Sequence, residues 1–176
     1  MKIISGKYKG RIIKGFNIEG TRPTMDRVRE SLFATINPYL KDSIVLDLFA
    51  GTGSLGLEAL SNGAKKAIFV DKNKKCIDEI KKACNEIKVE EESLFINSDY
   101  LNALKTFKNV DIIFLDPPYH EKILNKAIKE IENLDILNKN GLLIAEYEEE
   151  IPLCNYELIK EKKYGDKYIK IFRKTL

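Results

Sequence analysis

The chain has 176 residues, 44% of them hydrophobic and 32% charged, with a formal net charge of +3. Those values describe one soluble domain with a core of its own, too short for two full ones, and exclude a disordered chain. No apolar run approaches the ~20 residues of a membrane span, and the opening MKIISGKYKG lacks the apolar stretch of a signal peptide, so a cytoplasmic protein is expected.

Charge is unevenly placed along the chain. Residues 1–41 carry nine Lys/Arg against three Asp/Glu and residues 160–176 carry seven against two, while the middle holds fourteen against twenty-two. An acidic body with two basic ends suits a polyanion gripped by those ends. The three cysteines, Cys76, Cys84 and Cys154, match no zinc spacing, and with a single histidine no His/Cys metal site is expected. Cys76 and Cys84 share a helical stretch with Ile77, Ile80, Ala83 and Ile87 and are read as core residues.

In chain order, KIIS and KGRIIKGF read as a basic hairpin turning near Gly6 and Gly10. A helix follows, with Val28, Leu32, Ile36 and Tyr39 on one face and Pro38 near its end. Regular alternation then begins: strand 43–49, helix 54–63, strand 66–71, helix 73–88, strand 93–97, a short helix near 100–107, strand 110–116 and helix 121–134. Strands at 141–147, 156–164 and 167–174 close the chain, the last two joined by the tight Gly165-Asp166 turn. This order predicts an α/β domain with parallel βαβ units covered on both faces and an antiparallel final pair. Residues 1–41 form a basic extension and residues 42–176 the α/β domain.

Between the first parallel strand and its helix lies DLFAGTGSLG, in which Gly51, Gly53 and Gly56 satisfy G-x-G-x-x-G. Such glycines let the backbone turn tightly and approach a ligand. Asp71 ends the next strand twenty residues after Gly51, where a carboxylate accepts hydrogen bonds from both ribose hydroxyls of an adenosine. Asp99 follows the third strand, at the height of an adenine amino group. A dinucleotide needs more chain than 176 residues provide. Acids at three successive strand ends, Asp47, Asp71 and Asp99, suit a ligand with a positive centre, an amine, a ribose and an adenine, which S-adenosylmethionine combines. The expected cofactor residues are Asp47, Phe49, Gly51, Gly53, Asp71 and Asp99.

The fourth strand stops on Asp116-Pro117-Pro118-Tyr119, and two prolines without N–H groups cannot continue a ladder. This strand is expected beside the first, so Asp116 faces the reacting methyl group. An exocyclic amine on a nucleobase needs acceptors for both hydrogens if its lone pair is to point at that methyl. Asp116 supplies one, the Pro117 carbonyl the other, and Tyr119 a face on which the base stacks. His120 is read as a solvent-facing neighbour.

DLFAGTGSLGLEAL together with DPPY resembles the amino-group branch of the class I S-adenosylmethionine-dependent methyltransferases. RIIKG, TRPTMDRVRESLF and KKYGDKYIKIF narrow the likeness to the RsmD family, bacterial enzymes that methylate N2 of one guanine in small-subunit ribosomal RNA. The resemblance implies a Rossmann-like, seven-stranded, mostly parallel sheet with an antiparallel last strand, and ribosomal RNA or the small ribosomal subunit as partner of a monomer. It also implies that Lys7, Lys9, Arg11, Arg22, Arg27 and Arg29 meet phosphates or the cofactor's carboxylate. DPPY alone leaves adenine N6, cytosine N4 and a protein glutamine amide open as acceptors, and a non-catalytic nucleotide- or RNA-binding module as a rival class.

Overall fold

Along the central strands, alternate residues are apolar on both faces, which forces the sheet between two helical layers. The computed structural model describes residues 1–14 and 23–176. Its strands are β1 (Ile44–Asp47), β2 (Lys66–Asp71), β3 (Ser93–Asn97), β4 (Val110–Leu115), β5 (Leu137–Tyr147), β6 (Glu157–Tyr164) and β7 (Lys167–Arg173). They form one sheet in the order β3-β2-β1-β4-β5-β7-β6. The first five are mutually parallel, whereas β7 runs antiparallel to both β5 and β6. The seven-stranded, mostly parallel α/β architecture is the one expected, and β7 inserts between β5 and β6.

Helices α1 (Pro23–Ile36), α2 (Ser54–Ser61) and α3 (Lys74–Ile87) cover one face, α4 (Tyr100–Leu104) and α5 (Leu124–Asn133) the other. Val45, Phe69, Phe114 and Ile144 point into the first layer, and their neighbours Leu46, Val70, Leu115 and Ala145 into the second. That is the period-2 geometry of a strand. Cys84 is buried against the first layer, but Cys76 is only partly buried, a correction to the reading of both as core. Eight residues of α-helix turn the chain about 80° past a whole number of turns, which carries Cys76 off the core face.

The first fourteen residues fold into a short hairpin with a single antiparallel bridge, Lys2 to Ile12. Its Ile3 and Ile13 join Leu32, Phe33 and Ile36 of α1 in the same core cluster as the sheet residues, so the hairpin and α1 share the sheet's core. The hairpin is bolted to α2. Glu58, 1% exposed, accepts the Ile4 N–H at 2.8 Å, and Ser61 accepts the Lys7 and Tyr8 N–H groups at 2.7 and 3.0 Å. A Cβ at Gly6 meets the Ser61 carbonyl oxygen at 2.0 Å, so only glycine permits this approach.

Several boundaries differ from the sequence reading for local reasons. α1 stops at Ile36 and tightens into a 3-10 turn, Asn37–Tyr39, around Pro38. The helix expected from 121 starts at Leu124, after a 3-10 turn at Tyr119–Glu121. β5 begins at Leu137 and crosses a register shift against β4 before its apolar run starts.

Candidate active site

The sheet order reverses between β1 and β4: the chain leaves β1 toward β2 and β3, then returns to place β4 on the other side. Loops part at such a switch point and leave a crevice beyond the strand ends. Here the crevice holds a cavity of about 390 Å³, lined among others by Phe49, Gly51, Asp71, Asp99, Tyr100 and Asp116. The size is that of a small-molecule site. Lys72 and Glu121 pair at 3.0 Å on its exposed rim.

The three loop glycines turn out to do three different things. Gly51 has φ +55°, and an added Cβ there meets nothing within 4 Å, so its open side allows a ligand close to the backbone. Gly53, φ +77°, caps α2, and its Cβ position lies 3.0 Å from Ile80. Gly56 sits under the Phe69 ring, 2.3 Å from where a Cβ stands, and seats α2 on β2. Gly51 is therefore the cavity residue, while Gly53 shapes the loop from behind.

Asp71 accepts the Gly51 N–H at 2.9 Å through one oxygen and the Asn73 N–H at 2.8 Å through the other. Two backbone donors fix the carboxylate and leave further lone pairs facing the cavity it lines. Asp99 caps α4, accepting from the Asn102 N–H at 3.0 Å and the Asn102 side chain at 2.5 Å. The Asn102 N–H holds its carboxyl below the usual range, so it stays anionic at the cavity wall. Phe49 and Tyr100 set their rings 5.4 Å apart as an aromatic wall. Asp47 lies elsewhere. It is 1% exposed beneath the loop, accepts the Gly56 N–H at 3.3 Å, and does not line the cavity. Burial pushes its pKa up to about 7, the Gly56 N–H opposes that, and the charge of Asp71 adds to it.

Asp116 borders a second, smaller cavity of about 100 Å³ on its other side, with Met25, Arg29, Leu55, Glu146 and Lys167 in the wall. It is thus the residue that lines both chambers. Burial and then the charge of Glu146 push its pKa well above the carboxylate range, against the pull of Lys167. Pro117 is buried and Pro118 exposed, and Tyr119 opens the 3-10 turn that follows. The Tyr119 hydroxyl donates to Glu146 Oε1 at 2.9 Å, and Lys167 Nζ stands 3.2 Å from the same oxygen and 5.2 Å from the Tyr119 ring centroid. Burial, followed by Asp116 and Glu146, raises the pKa of that phenol, so it remains a donor.

The basic residues expected to meet RNA are scattered. Lys7, Lys9 and Arg11 sit around the hairpin tip, against Ser61 at the far end of α2, and Arg11 donates to the Glu86 carbonyl at 3.1 Å near the end of α3. That places them at the opposite end of the sheet from both cavities. Arg29 is turned inward: its side chain is 11% exposed, 3.5 Å from Glu58, and donates to the Lys2 carbonyl at 2.6 Å. Arg27 is exposed on α1, and Arg22 lies outside the described residues. Sequence reasoning missed Tyr100, Glu146 and Lys167. Glu146 had a legible signal, since it is an acid at the C-terminal end of an apolar strand, as Asp116 is. Lys167 had none.

Residues 1–173 match the family described as Conserved hypothetical protein 95. The chain belongs to this family. It is the RsmD family to which the motifs pointed. The chain is 41% identical to the ribosomal RNA small subunit methyltransferase D of Haemophilus influenzae, over 94% of this chain and 89% of that protein. To the protein of the same name from Escherichia coli K12 it is 32% identical, over 99% and 90% of the two chains. A solved Escherichia coli structure, described as "Putative methyltransferase yhhF", superimposes with a TM-score of 0.91 at 32% identity, covering 99% of this chain and 98% of that one.

Proposed function

We propose that the protein transfers the methyl group of S-adenosylmethionine to the exocyclic N2 amine of a guanine in small-subunit ribosomal RNA. The observation that carries this reading is the meeting of two chambers at Asp116, in a chain whose relatives bear the name of that methyltransferase. The larger chamber fits the cofactor. Gly51 admits it to the loop backbone, Asp71 takes the ribose hydroxyls, Asp99 and the Phe49–Tyr100 wall take the adenine, and Asp116 faces its positive centre. When bound, the cofactor supplies an activated methyl group on a sulfonium.

The chain's own work is positioning. Asp116 and the Pro117 carbonyl accept the two amine hydrogens, which turns the nitrogen lone pair toward the larger chamber. A new N–C bond forms as the S–C bond breaks, and sulfur keeps the electron pair. The methylated amine then sheds a proton. Asp116, raised in pKa by burial and by Glu146, is a better proton acceptor than a solvated carboxylate. Tyr119, tethered by its hydroxyl to Glu146, offers its ring to the base.

We infer that RNA approaches along the seam between α1 and β6. Lys162 and Tyr164 both donate to the Ser31 hydroxyl, at 2.5 and 2.9 Å, and Lys160 donates to Thr35 at 3.2 Å. Arg27, Ser31 and Thr35 are spaced four apart along α1, so Arg27 heads this row. The two basic ends of the sequence thus meet at one seam. The test is direct. Small subunits from cells lacking the activity are incubated with labelled S-adenosylmethionine and digested to nucleosides, and N2-methylguanosine is expected. Label on another base, or none, overturns the reading.

A further inference from the structure

Asp-Pro-Pro-Tyr holds an amine without choosing which one. The choice falls to what lies beside Asp116 in the smaller chamber. There the end of β5 brings a second carboxylate, Glu146, next to Asp116, because β4 and β5 are neighbouring parallel strands. Beyond Glu146 stands an ammonium, Lys167 Nζ, at 3.2 Å. With both carboxyls ionised, the wall presents acceptor, acceptor and donor in sequence. The rest of its lining is mostly apolar, Phe114, Leu115 and Ile144 included; the other polar side chains there are Ser54 and Arg29, whose guanidinium lies 3.5 Å from Glu58.

We propose that Glu146 and Lys167 select guanine by its Watson–Crick edge: Glu146 accepts N1–H and Lys167 donates to O6, beside Asp116 on the N2 amine. The inference rests on the methyl-transfer reading above and extends it to base choice. Among the amino bases, only guanine carries a protonated ring nitrogen beside its amine. Adenine N1 and cytosine N3, the neighbours of N6 and N4, are bare acceptors. Against Glu146, whose side chain is 18% exposed, each places lone pair against lone pair, and an unpaired polar group there is costly. A glutamine amide has no ring edge to meet the pair at all. Sites that hydrogen-bond a substrate N–H reject analogues lacking it far more strongly than shape alone does.

The tether from Tyr119 gives this arrangement its rigidity. Its hydroxyl and Lys167 converge on the same Glu146 oxygen, so the carboxylate is held from two sides. Lys167 also lies over the Tyr119 ring, on a face that a stacked base can occupy. A base arriving on that face moves the ammonium toward its own edge, where O6 of guanine accepts it. Tyr119 positions the reader, and Glu146 and Lys167 read.

2-Aminopurine keeps the N2 amine but has a bare N1 and no O6. Small subunits are reconstituted from ligated RNA carrying guanine or 2-aminopurine at the position that the wild-type protein methylates, and single-turnover transfer is measured. The wild type is expected to prefer guanine by on the order of 10²-fold or more. Glu146→Gln, whose amide can donate to a bare N1, is expected to slow guanine and to shrink that preference at least about tenfold. Its S-adenosylmethionine affinity is expected to stay at the wild-type value, which reports an intact fold. Equal wild-type rates on the two bases overturn the proposal, as does a Glu146→Gln variant that slows both bases by the same factor. Wild-type transfer that never reaches guanine N2 has a different signature and removes the underlying function together with this inference.

Discussion

The two chambers that meet at Asp116 are built in opposite ways. The larger is made from consecutive strand ends, β1 to β4, and is held largely by backbone: the Gly51 N–H on Asp71, the Asn102 N–H on Asp99, the turn at Gly53. The smaller is made from α1, the start of α2 and strands β4, β5 and β7, with α1 more than a hundred residues before β5, and is held by side chains on side chains. A cofactor of fixed shape can be met by a fixed loop. A base that must be chosen among similar bases needs groups that differ in chemistry, and the fold gathers them from wherever the sheet brings them.

Each chamber can therefore be damaged alone. Asp47 lies buried beneath the glycine loop, and the effect there should be the largest on stability. Its folded pKa of about 7 lies above the ordinary value of 3.8, so the unfolded chain loses this proton first as pH rises. Below about pH 4 the group is protonated in both states and contributes nothing; between about pH 4 and 7 it increasingly favours unfolding. Asp47→Asn removes that penalty, and its stability relative to wild type should climb across this window by up to about 4 kcal/mol, then level off. Denaturation curves at several pH values check the sign, and a constant difference contradicts it.

Asp71→Ala should damage the larger chamber alone. Cofactor affinity is expected to fall by about 1.5–3 kcal/mol, the scale of hydrogen bonds to a charged group, with RNA affinity unchanged. Calorimetry with S-adenosylmethionine reads the first and filter binding the second. Tyr119→Ala is the mirror image: RNA binding is expected to weaken by about 1–3 kcal/mol of stacking while the cofactor still binds. A Tyr119→Phe variant keeps the stack and loses only the tether to Glu146.

The smallest effects concern the approach of RNA. Charge reversal at Arg27 or Lys162 should lower the slope of binding against salt by about 1 each, as for one lost phosphate contact. The same reversal at Lys7 or Lys9, at the far end of α2, should leave the slope nearly unchanged. A larger loss at the hairpin tip than at the seam restores the phosphate contacts expected from sequence.

That last contrast marks where the sequence could be read and where it could not. Strand and helix periods are local, so every strand was legible, and the antiparallel end followed from the short Gly165-Asp166 turn. The glycine loop and Asp71 were legible because their spacing is fixed within one βαβ unit. The roles of Gly53 and Asp47 were not. Whether a strand-end group faces the crevice or lies beneath it depends on the packing of Ile80 and on how α2 is seated. Charge counting found the basic ends, but counting cannot see that Arg29 is spent on Glu58 or that Lys162 crosses to Ser31. Lys167 joins the site only because β7 inserts beside β5, a pairing with no signature in either strand.

Asp116 joins two otherwise separate chambers, and the decisive test is single-turnover methyl transfer by Asp116→Ala on small subunits. The expected result is a rate at least 10²–10³-fold below wild type, the scale of one preorganised electrostatic contact, with cofactor and RNA affinities both close to wild type. A near-normal rate, or a loss accounted for wholly by weaker cofactor binding, contradicts the account.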